Sequence, residues 1–487
     1  MAAERVAPAP GGPRRTGGAG RQHDRDDRTV LVRGGRIISD PNAGGPTDPG
    51  ARGQVAAHRR RVVAGLRQAD VLVSDGRIVQ VGSDDGRGGA LEAPSGAVVI
   101  DAGGCVVLPG LVDLHTHLRQ PGDEEAETIE SGARAAALGG FTAVVAMPNT
   151  NPPLDSASAV RDVQSLARDV PVDVFVAGAI TVARAGERLA PMAELARLGV
   201  RLFTDDGNGV QSAGMMRRAL EYARGLGVVL AQHCEVASLA SGGAMHEGEW
   251  SARLGLPGIP ASAEEVMVAR DLLLAREVGA RIHLLHLSTS GSVDLVRAAK
   301  RLGVAVTAEA TPHHVSLTDA SAATYDPLFK VNPPLRSKGD VDAVRSGLAD
   351  GTIDAIATDH APHRAETKDL PFDQAPPGMI GLETAVGVVL TELADLPLAQ
   401  VVAMMSTRPA AIAGIGPANG GAHGGPIAAG HAANLCIVDL EATWVVDPSR
   451  LASRSANSPY GGRKLTGRVR HTVLHGEAVV IYGEAQR

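Results

Sequence analysis

Between residues 111 and about 415 the chain alternates eight times between a short apolar run and a longer amphipathic stretch. The apolar runs fall at 111–117, 142–147, 172–180, 200–205, 228–233, 281–287, 304–310 and 353–358. Helical periodicity fills the intervals, for example at 157–168, 213–224, 263–277 and 292–301. Parallel strands cannot be joined by a tight turn and need a crossover, usually a helix, so this alternation predicts parallel α/β architecture. Eight units in about 300 residues fit a TIM-type (β/α)8 barrel. A doubly wound sheet could yield the same series of elements, but it would not explain where the polar residues fall.

They fall at the C-terminal ends of the strands. The first run ends in His115 and His117, the second in Met147-Pro148-Asn149, and the fourth in Thr204-Asp205-Asp206-Gly207. The fifth ends in Gln232-His233-Cys234-Glu235 and the sixth carries His286-Leu287-Ser288. The seventh leads into Pro312-His313-His314, and the eighth ends in Thr358-Asp359-His360. Barrel active sites are assembled at this rim from several strands. Within 111–119, strict alternation puts Val112, Leu114, Thr116 and Leu118 on one face, with Asp113, His115, His117 and Arg119 on the other. A lone His-x-His reads more readily as two hydrogen-bonded structural histidines. Its coincidence with polar ends on most other strands reverses that reading.

Four histidines and two aspartates make a plausible two-metal set: His115, His117, His233, His286, Asp206 and Asp359. Imidazole and carboxylate without thiolate suit zinc in a catalytic site that keeps positions for water and substrate. Two ions about 3.5–4 Å apart need a bridging group. Either Asp205 or Asp206 can supply it, the other then capping the following loop or helix.

The flanks have a different texture. Residues 1–27 are Ala, Gly, Pro, Arg and Asp without hydrophobic period and read as a disordered tail. Short strands are expected at 29–33, 36–38, 69–73, 77–81 and 97–101, interrupted by an insertion at about 41–66 that includes the basic run His58-Arg59-Arg60-Arg61. A Gly-rich stretch at 416–427 reads as a flexible loop, and strand-like segments return at 433–438, 469–474 and 477–481. Both ends are expected to join in one small β-sandwich domain, its first part 28–110 and its second 428–487, beside a barrel spanning 111–415. With only 2% aromatic residues, the cores must be built from Ala, Val, Leu and Ile.

The balance of 47 basic against 54 acidic residues, net −7, argues against a general nucleic-acid binder. No run approaches the roughly 18 uninterrupted apolar residues of a membrane span, and the N-terminus lacks the apolar run of a signal peptide. Cys105, Cys234 and Cys436 have neither pairing nor zinc spacing, so each reads as a small buried residue in a reduced, cytoplasmic setting.

Pro109-Gly110-Leu111-Val112-Asp113-Leu114-His115-Thr116-His117-Leu118-Arg119 resembles the signature of the bacterial type I dihydroorotases, in the cyclic amidohydrolase superfamily. Ala146-Met147-Pro148-Asn149-Thr150, Thr311-Pro312-His313-His314, Lys330-Val331-Asn332-Pro333-Pro334-Leu335-Arg336 and Ala357-Thr358-Asp359-His360-Ala361-Pro362-His363 resemble four further blocks. The resemblance implies reversible closure of N-carbamoyl-L-aspartate to dihydroorotate, the third step of pyrimidine synthesis, on two zinc ions. It implies that His115 and His117 bind one ion and His233 and His286 the other. Many superfamily members bridge the ions with a carbamylated lysine; this chain has Asp205-Asp206 there, as one dihydroorotase branch does, and the spacing to the next histidine favours Asp206. Asp359 would bind the first ion and serve as general base and acid. Arg119, Asn149, Asn332 and His363 would hold substrate, with the backbone around Pro377 and Gly378 closing the site. Arg119 suits a substrate carboxylate because its planar fork can bind both oxygens.

Two rivals stand beside this reading. A hydantoinase or allantoinase would share the barrel and histidines, but the missing bridging lysine and the Arg119/Asn149/Asn332 set speak against it. A non-catalytic dihydroorotase-like partner of aspartate transcarbamoylase should have lost ligands, and here none is missing. Association with that enzyme and homo-oligomerisation are both left open. Outside the set, His313 and His314 read as residues that orient neighbours, His360 as a partner for a carboxylate, and Asp113 as support behind the ligands. Glu383 would brace the rim or cap the last helix. His246, His423, His431, His471 and His475 read as ordinary surface or sheet residues.

Overall fold

The structure is a computed structural model that describes residues 29–38, 65–82 and 90–486. The expected tail at 1–27, most of the 41–66 insertion and the basic run His58–Arg61 lie outside these residues. The N-terminal strands are β1 (Val30–Ile38), β2 (Leu66–Ser74), β3 (Arg77–Val81), β4 (Val98–Asp101) and β5 (Val106–Pro109). The barrel region holds β6 (Leu111–Thr116), β7 (Phe141–Ala146), β8 (Asp173–Val176), β9 (Leu202–Phe203) and β10 (Val229–Gln232). A small pair, β11 (Met245–His246) and β12 (Gly258–Ile259), precedes β13 (Ile282–Leu284), β14 (Val306–Ala310) and β15 (Ala355–Ile356). The chain ends with β16 (Leu435–Val445), β17 (Lys464–Leu474), β18 (Glu477–Ile481) and β19 (Glu484–Ala485).

Strands from both ends of the chain form one sheet in the order β19-β18-β17-β16-β5-β1-β2-β3, with β4 on β1. Side-chain alternation buries this sheet twice. Val107, Leu435 and Ile437 face a core made only of sheet-domain residues such as Val32, Val71 and Ile100. Their neighbours Val106, Leu108, Cys436 and Val438 face the cluster that includes the barrel helices. A strand buried on both faces reads as a continuous apolar run, which is why these segments are so hydrophobic.

Eight strands make the barrel. Parallel pairing joins β6-β7-β8 and β9-β10-β13-β14-β15. Parallel bridges Gly178↔Phe203 and Thr116↔His360 join these two sheets at both seams. All eight coincide with the expected runs, and most are shorter, because the chain bends into rim loops where the polar residues begin. One apolar cluster gathers Val112, Leu114, Ala143, Val145, Leu202, Ala231 and Ala355 from five barrel strands, with Ala177 and Leu285 just past the ends of β8 and β13. Only the barrel interior can bring these together.

The helices obey ordinary end rules. The helix Ala213–Leu226 starts where Ser212 Oγ accepts the N–H of Met215 and stops at Gly227, whose φ of 70° suits glycine. Its Met215, Met216, Ala219, Leu220 and Ala223 are buried, at helical spacing. The run Leu398–Asn419 is long and apolar enough to cross a membrane, but 72% of its most apolar window is buried in the protein. Leu398, Val401, Val402, Met404 and Met405 pack on the outside of the barrel, and Ala410, Ile412 and Ala413 join the interior cluster. A π-turn at Ala403–Thr407 lies just before Pro409, which has no N–H to continue the α-helical ladder.

The 416–427 stretch, expected to be flexible, is folded onto the barrel. Gly421 N–H donates to Gly416 O and His423 is buried. A Cβ on Gly421 would lie 1.8 Å from the backbone oxygen of Ile415. Gly421→Ala is therefore expected to lower stability by about 1–3 kcal/mol, as overpacking does, read as a lower urea midpoint. An unchanged midpoint would mean that this segment can lift off the barrel freely.

Candidate active site

The first strand brings its histidines into the barrel mouth through an irregularity. Val112 and Leu114 both point inward, so unbroken alternation would send His115 outward. The pairing register slips between Asp113 and Thr116. Asp113, fully buried, accepts from Thr358 N at 3.0 Å and Thr358 Oγ1 at 2.5 Å, just past the end of β15, and from His115 N at 3.1 Å. After the slip His115 and His117 enter the site, while Leu118 joins the outer cluster. The expected face of Val112, Leu114, Thr116 and Leu118 is thus split. Asp113 lies behind His115, and burial pushes its carboxyl up to about 7 against the hydrogen bonds from Thr358 and His115.

Asp206 lies at the centre. Its carboxylate is 3.5 Å from His115 Nε2, 3.6 Å from His117 Nε2, 3.6 Å from His233 Nδ1 and 3.7 Å from His286 Nε2. Asp359 Oδ1 is 3.0 Å from His117 Nε2 and 3.5 Å from His115 Nε2. Asp205 points elsewhere: its carboxylate accepts from the N–H groups of Ile180 and Thr181 and from the Thr181 hydroxyl, which secures the loop after β8.

These residues fit metal ions. His115 Nδ1 lies 3.0 Å from Glu309 Oε1, and His117 Nδ1 lies 2.9 Å from Asn149 Oδ1. Both oxygens are acceptors, so each Nδ1 carries a proton and Nε2 is the nitrogen turned toward the carboxylates, bare when the ring is neutral. Lone pairs facing carboxylate oxygens in a buried site repel one another unless a cation lies between them. His115 Nε2 and Asp206 Oδ1 are buried without a hydrogen-bond partner among the described residues. His233 Nδ1 and His286 Nε2, 3.0 Å apart, converge on that same Oδ1. Spatially compact groups are formed by His115, Asp206 and His286 and by His115, His117 and Asp359.

The electrostatics agree. Burial alone would raise both carboxyls, yet the imidazoles around them hold Asp206 and Asp359 well below the usual range. Burial would lower His115, but Asp206 and Asp359 carry it well above its ordinary value. The pocket favours positive charge at its centre. Backbone strain is present here too: Arg119, His286 and Asp359 have φ of 59°, 31° and 48°, conformations that non-glycine residues adopt at a cost.

Sequence reasoning missed Glu309. This fully buried carboxylate on β14 receives His115 on one oxygen and His283 Nε2, at 2.9 Å, on the other; His283 Nδ1 in turn meets Thr307 Oγ1 at 2.8 Å. The available signal was an acidic residue alternating with Ala308 and Ala310, whose side chains face the outer helices. Asn457 was missed as well, and nothing in its sequence context marks it. It donates to Ala361 O and Gly378 O and accepts from His363 N, tying together the loops on either side of the site.

The expected substrate residues line the same opening. Arg119 Nε donates to Pro362 O, and its Nη2 lies 3.4 Å from His363 Nε2. His363 Nε2 donates to Pro377 O at 2.9 Å, and burial together with the Arg119 charge lowers this ring to about 3, so it is neutral. Gly378 packs so closely that a Cβ there would be 2.7 Å from His363 Nε2. Asn149 spends its carbonyl on His117, while Asn332 Nδ2 lies 3.4 Å from His233 Nε2 and its Oδ1 is buried without a partner among the described residues. Behind the rim, His314 bridges Thr311 and Pro333 O, His360 pairs with Glu127, and Glu383 accepts from Ala452 N. His246 meets Arg336, His471 is a buried residue of the sheet strand β17, and His423 is buried rather than on the surface.

A family model described as dihydro-orotase-like matches residues 104–292. A dihydroorotase from Streptomyces coelicolor is 50% identical over 429 residues, 87% of this chain and 97% of that one. Another, from Pelotomaculum thermopropionicum, is 48% identical over 454 residues, 93% of this chain and 98% of its own. The chain belongs to the dihydroorotase family. Solved structures of other cyclic amidohydrolases share the fold of this dihydroorotase-family chain. An L-hydantoinase (dihydropyrimidinase) from Arthrobacter aurescens superposes with a TM-score of 0.78 at 26% identity, covering 94% of this chain and 97% of that one. A dihydropyrimidinase from Brevibacillus agri gives 0.76 at 22% identity, covering 94% and 96%.

Glu309→Gln is expected to weaken metal binding about 10–100-fold, the usual effect of losing a carboxylate behind a ligand histidine, with the far-ultraviolet dichroism unchanged. Unchanged affinity would mean that Glu309 only fills space. Against the raising effect of burial, His115 and His283 hold the Glu309 carboxyl at about 2, below its ordinary 4.5. Its stabilisation of the metal-free protein is therefore complete above pH 4.5 and lost as pH falls toward 2. The stability gap between wild type and variant should close over that window.

Proposed function

We infer that this chain is a metal-dependent dihydroorotase, interconverting N-carbamoyl-L-aspartate and dihydroorotate in pyrimidine synthesis. The observation that carries the reading is the buried Asp206 carboxylate with four imidazole nitrogens within 3.5–3.7 Å. His115, His117 and Asp359 would hold one ion and His233 and His286 the other, with Asp206 between them. When bound, the ions lower the pKa of the attacking water and polarise the ring carbonyl. Zinc suits the donor set.

The side chains supply the rest. Asp359, ionised and held against His117, takes the proton of the attacking water and delivers it to the departing ring nitrogen in the hydrolytic direction. The Arg119 guanidinium, oriented through its Nε on Pro362 O, receives the substrate carboxylate. Asn332 offers its unpaired Oδ1 as an acceptor toward substrate N–H. Asn149, in contrast, orients His117 and leaves its amide N–H groups for the ligand. His363, neutral and bound to Pro377 O, shapes the wall with Gly378. The substrate is a small molecule. A cytoplasmic location and assembly as a homo-oligomer or with aspartate transcarbamoylase belong to this proposal, which predicts co-elution with that enzyme.

Purified protein is expected to cyclise N-carbamoyl-L-aspartate in mildly acidic buffer, since ring closure consumes a proton. Asp359→Asn should lose at least about 10²-fold in turnover, the usual contribution of a general acid–base, while keeping its fold. Turnover of a 5-substituted hydantoin but not of dihydroorotate would overturn the assignment in favour of the hydantoinase reading. A chelator should abolish activity and added zinc restore it; chelator-resistant turnover would refute metal dependence.

A further inference from the structure

We propose that Asp173, His423 and His475 form a second metal site, at the end of the barrel opposite the active site, that takes a zinc-class divalent ion. Asp173 is the first residue of β8, whereas the active-site groups follow the other ends of the strands. His423 comes from the folded 416–427 segment, and His475 from the turn between β17 and β18. Both Nε2 atoms approach the same carboxylate oxygen, Asp173 Oδ2, at 2.8 Å from His423 and 2.7 Å from His475. All three donor atoms lie within 4.8 Å of one another. An ion there would join the barrel, the 416–427 segment and the terminal sheet, three parts distant in sequence.

The far side of His423 suits a ligand. Its Nδ1 is 3.2 Å from Thr142 Oγ1, and the Thr142 hydroxyl is directed at Leu111 O, 3.4 Å away. Without metal both Nε2 atoms hydrogen-bond Asp173 Oδ2, and an ion would take the place of those protons; the Thr142 hydroxyl, donating to Leu111 O, can then accept from His423 Nδ1–H. Metal-bound histidines are oriented in this way by the partner of their other nitrogen. Asn434 Nδ2 also lies 3.3 Å from that Nδ1, and it donates to Ala422 O at 3.1 Å. Phe175 holds the imidazole edge-on, with centroids 5.8 Å apart at 88°. Two imidazoles and one carboxylate leave a fourth position for water, the coordination zinc commonly takes, and copper and nickel accept the same donors. The His423 side chain is 1% exposed, but those of Asp173 and His475 are 34% and 47% exposed, so an ion can reach the site from solvent. Burial would raise the Asp173 carboxyl, yet the two histidines hold it well below its ordinary range, so it is charged at any pH where metal would bind.

The test counts metal in the full-length protein after equilibration with buffered free zinc, comparing wild type with His475→Gln and Asp173→Asn. Each variant should hold one ion fewer per chain with dihydroorotate turnover unchanged. Added zinc should raise Tm in the wild type beyond saturation of the active site, and not in the variants. Equal zinc content in wild type and variants would overturn the proposal and leave the triad as two histidines paired with an aspartate. If Asp173→Asn fails to fold, His475→Gln, at a half-exposed turn, carries the comparison alone. Because the readout is the difference in metal count, its outcome is independent of what the active site turns over.

Discussion

Two carboxylates and four imidazoles are pressed together in the mouth of the barrel, almost wholly withdrawn from water. Such a group is not stable by itself: bare ring nitrogens and carboxylate oxygens repel, and an unpaired buried charge is expensive. A cation between them removes both problems. The surrounding architecture can be understood as the means of keeping this arrangement in place until the cation arrives. The cost is carried partly as backbone strain, at Arg119, His286 and Asp359.

Two further carboxylates distribute that load over neighbouring strands. Asp113 binds the backbone and hydroxyl of Thr358, so β6, which carries His115 and leads into His117, is fixed to the segment after β15 that carries Asp359. Glu309 joins His115 to His283 and decides which nitrogen of His115 faces the centre. Asn149 does the same for His117. The orientation of the clustered imidazoles is thus set by the residues bonded to their other nitrogens. Asn457, from the C-terminal part of the chain, secures the loops bearing His363 and Gly378, which makes the sheet domain a participant in the shape of the site.

How much of this was legible in the chain varied with the physical origin of each feature. The eight strands were legible because a parallel strand packed on both faces must be apolar throughout, and the helices because their buried side recurs at helical spacing. The cluster of imidazoles and carboxylates was legible because its members lie at or just beyond strand ends, where a barrel assembles its chemistry. Glu309 escaped notice because a single carboxylate in a strand carries no periodic signature. The folded state of the 416–427 segment was hidden as well: glycine is common both in mobile loops and in tightly packed turns, and only Ile415 crowding Gly421 separates the two.

What the sequence determined by itself was therefore the architecture, the family and the set of residues from which the site is made, since these follow from local periodicity and from motif chemistry. The tertiary structure decided their use. It broke the alternation of the first strand so that apolar residues and histidines could both face inward, directed Asp206 to the centre and Asp205 to the neighbouring loop, and gave Asn149 to His117. It also brought Asp173, His423 and His475 to one point from three distant parts of the chain. Each of these outcomes depends on distances between segments remote in sequence, and on which hydrogen-bond partner a buried polar atom finds there. No local pattern encodes that information.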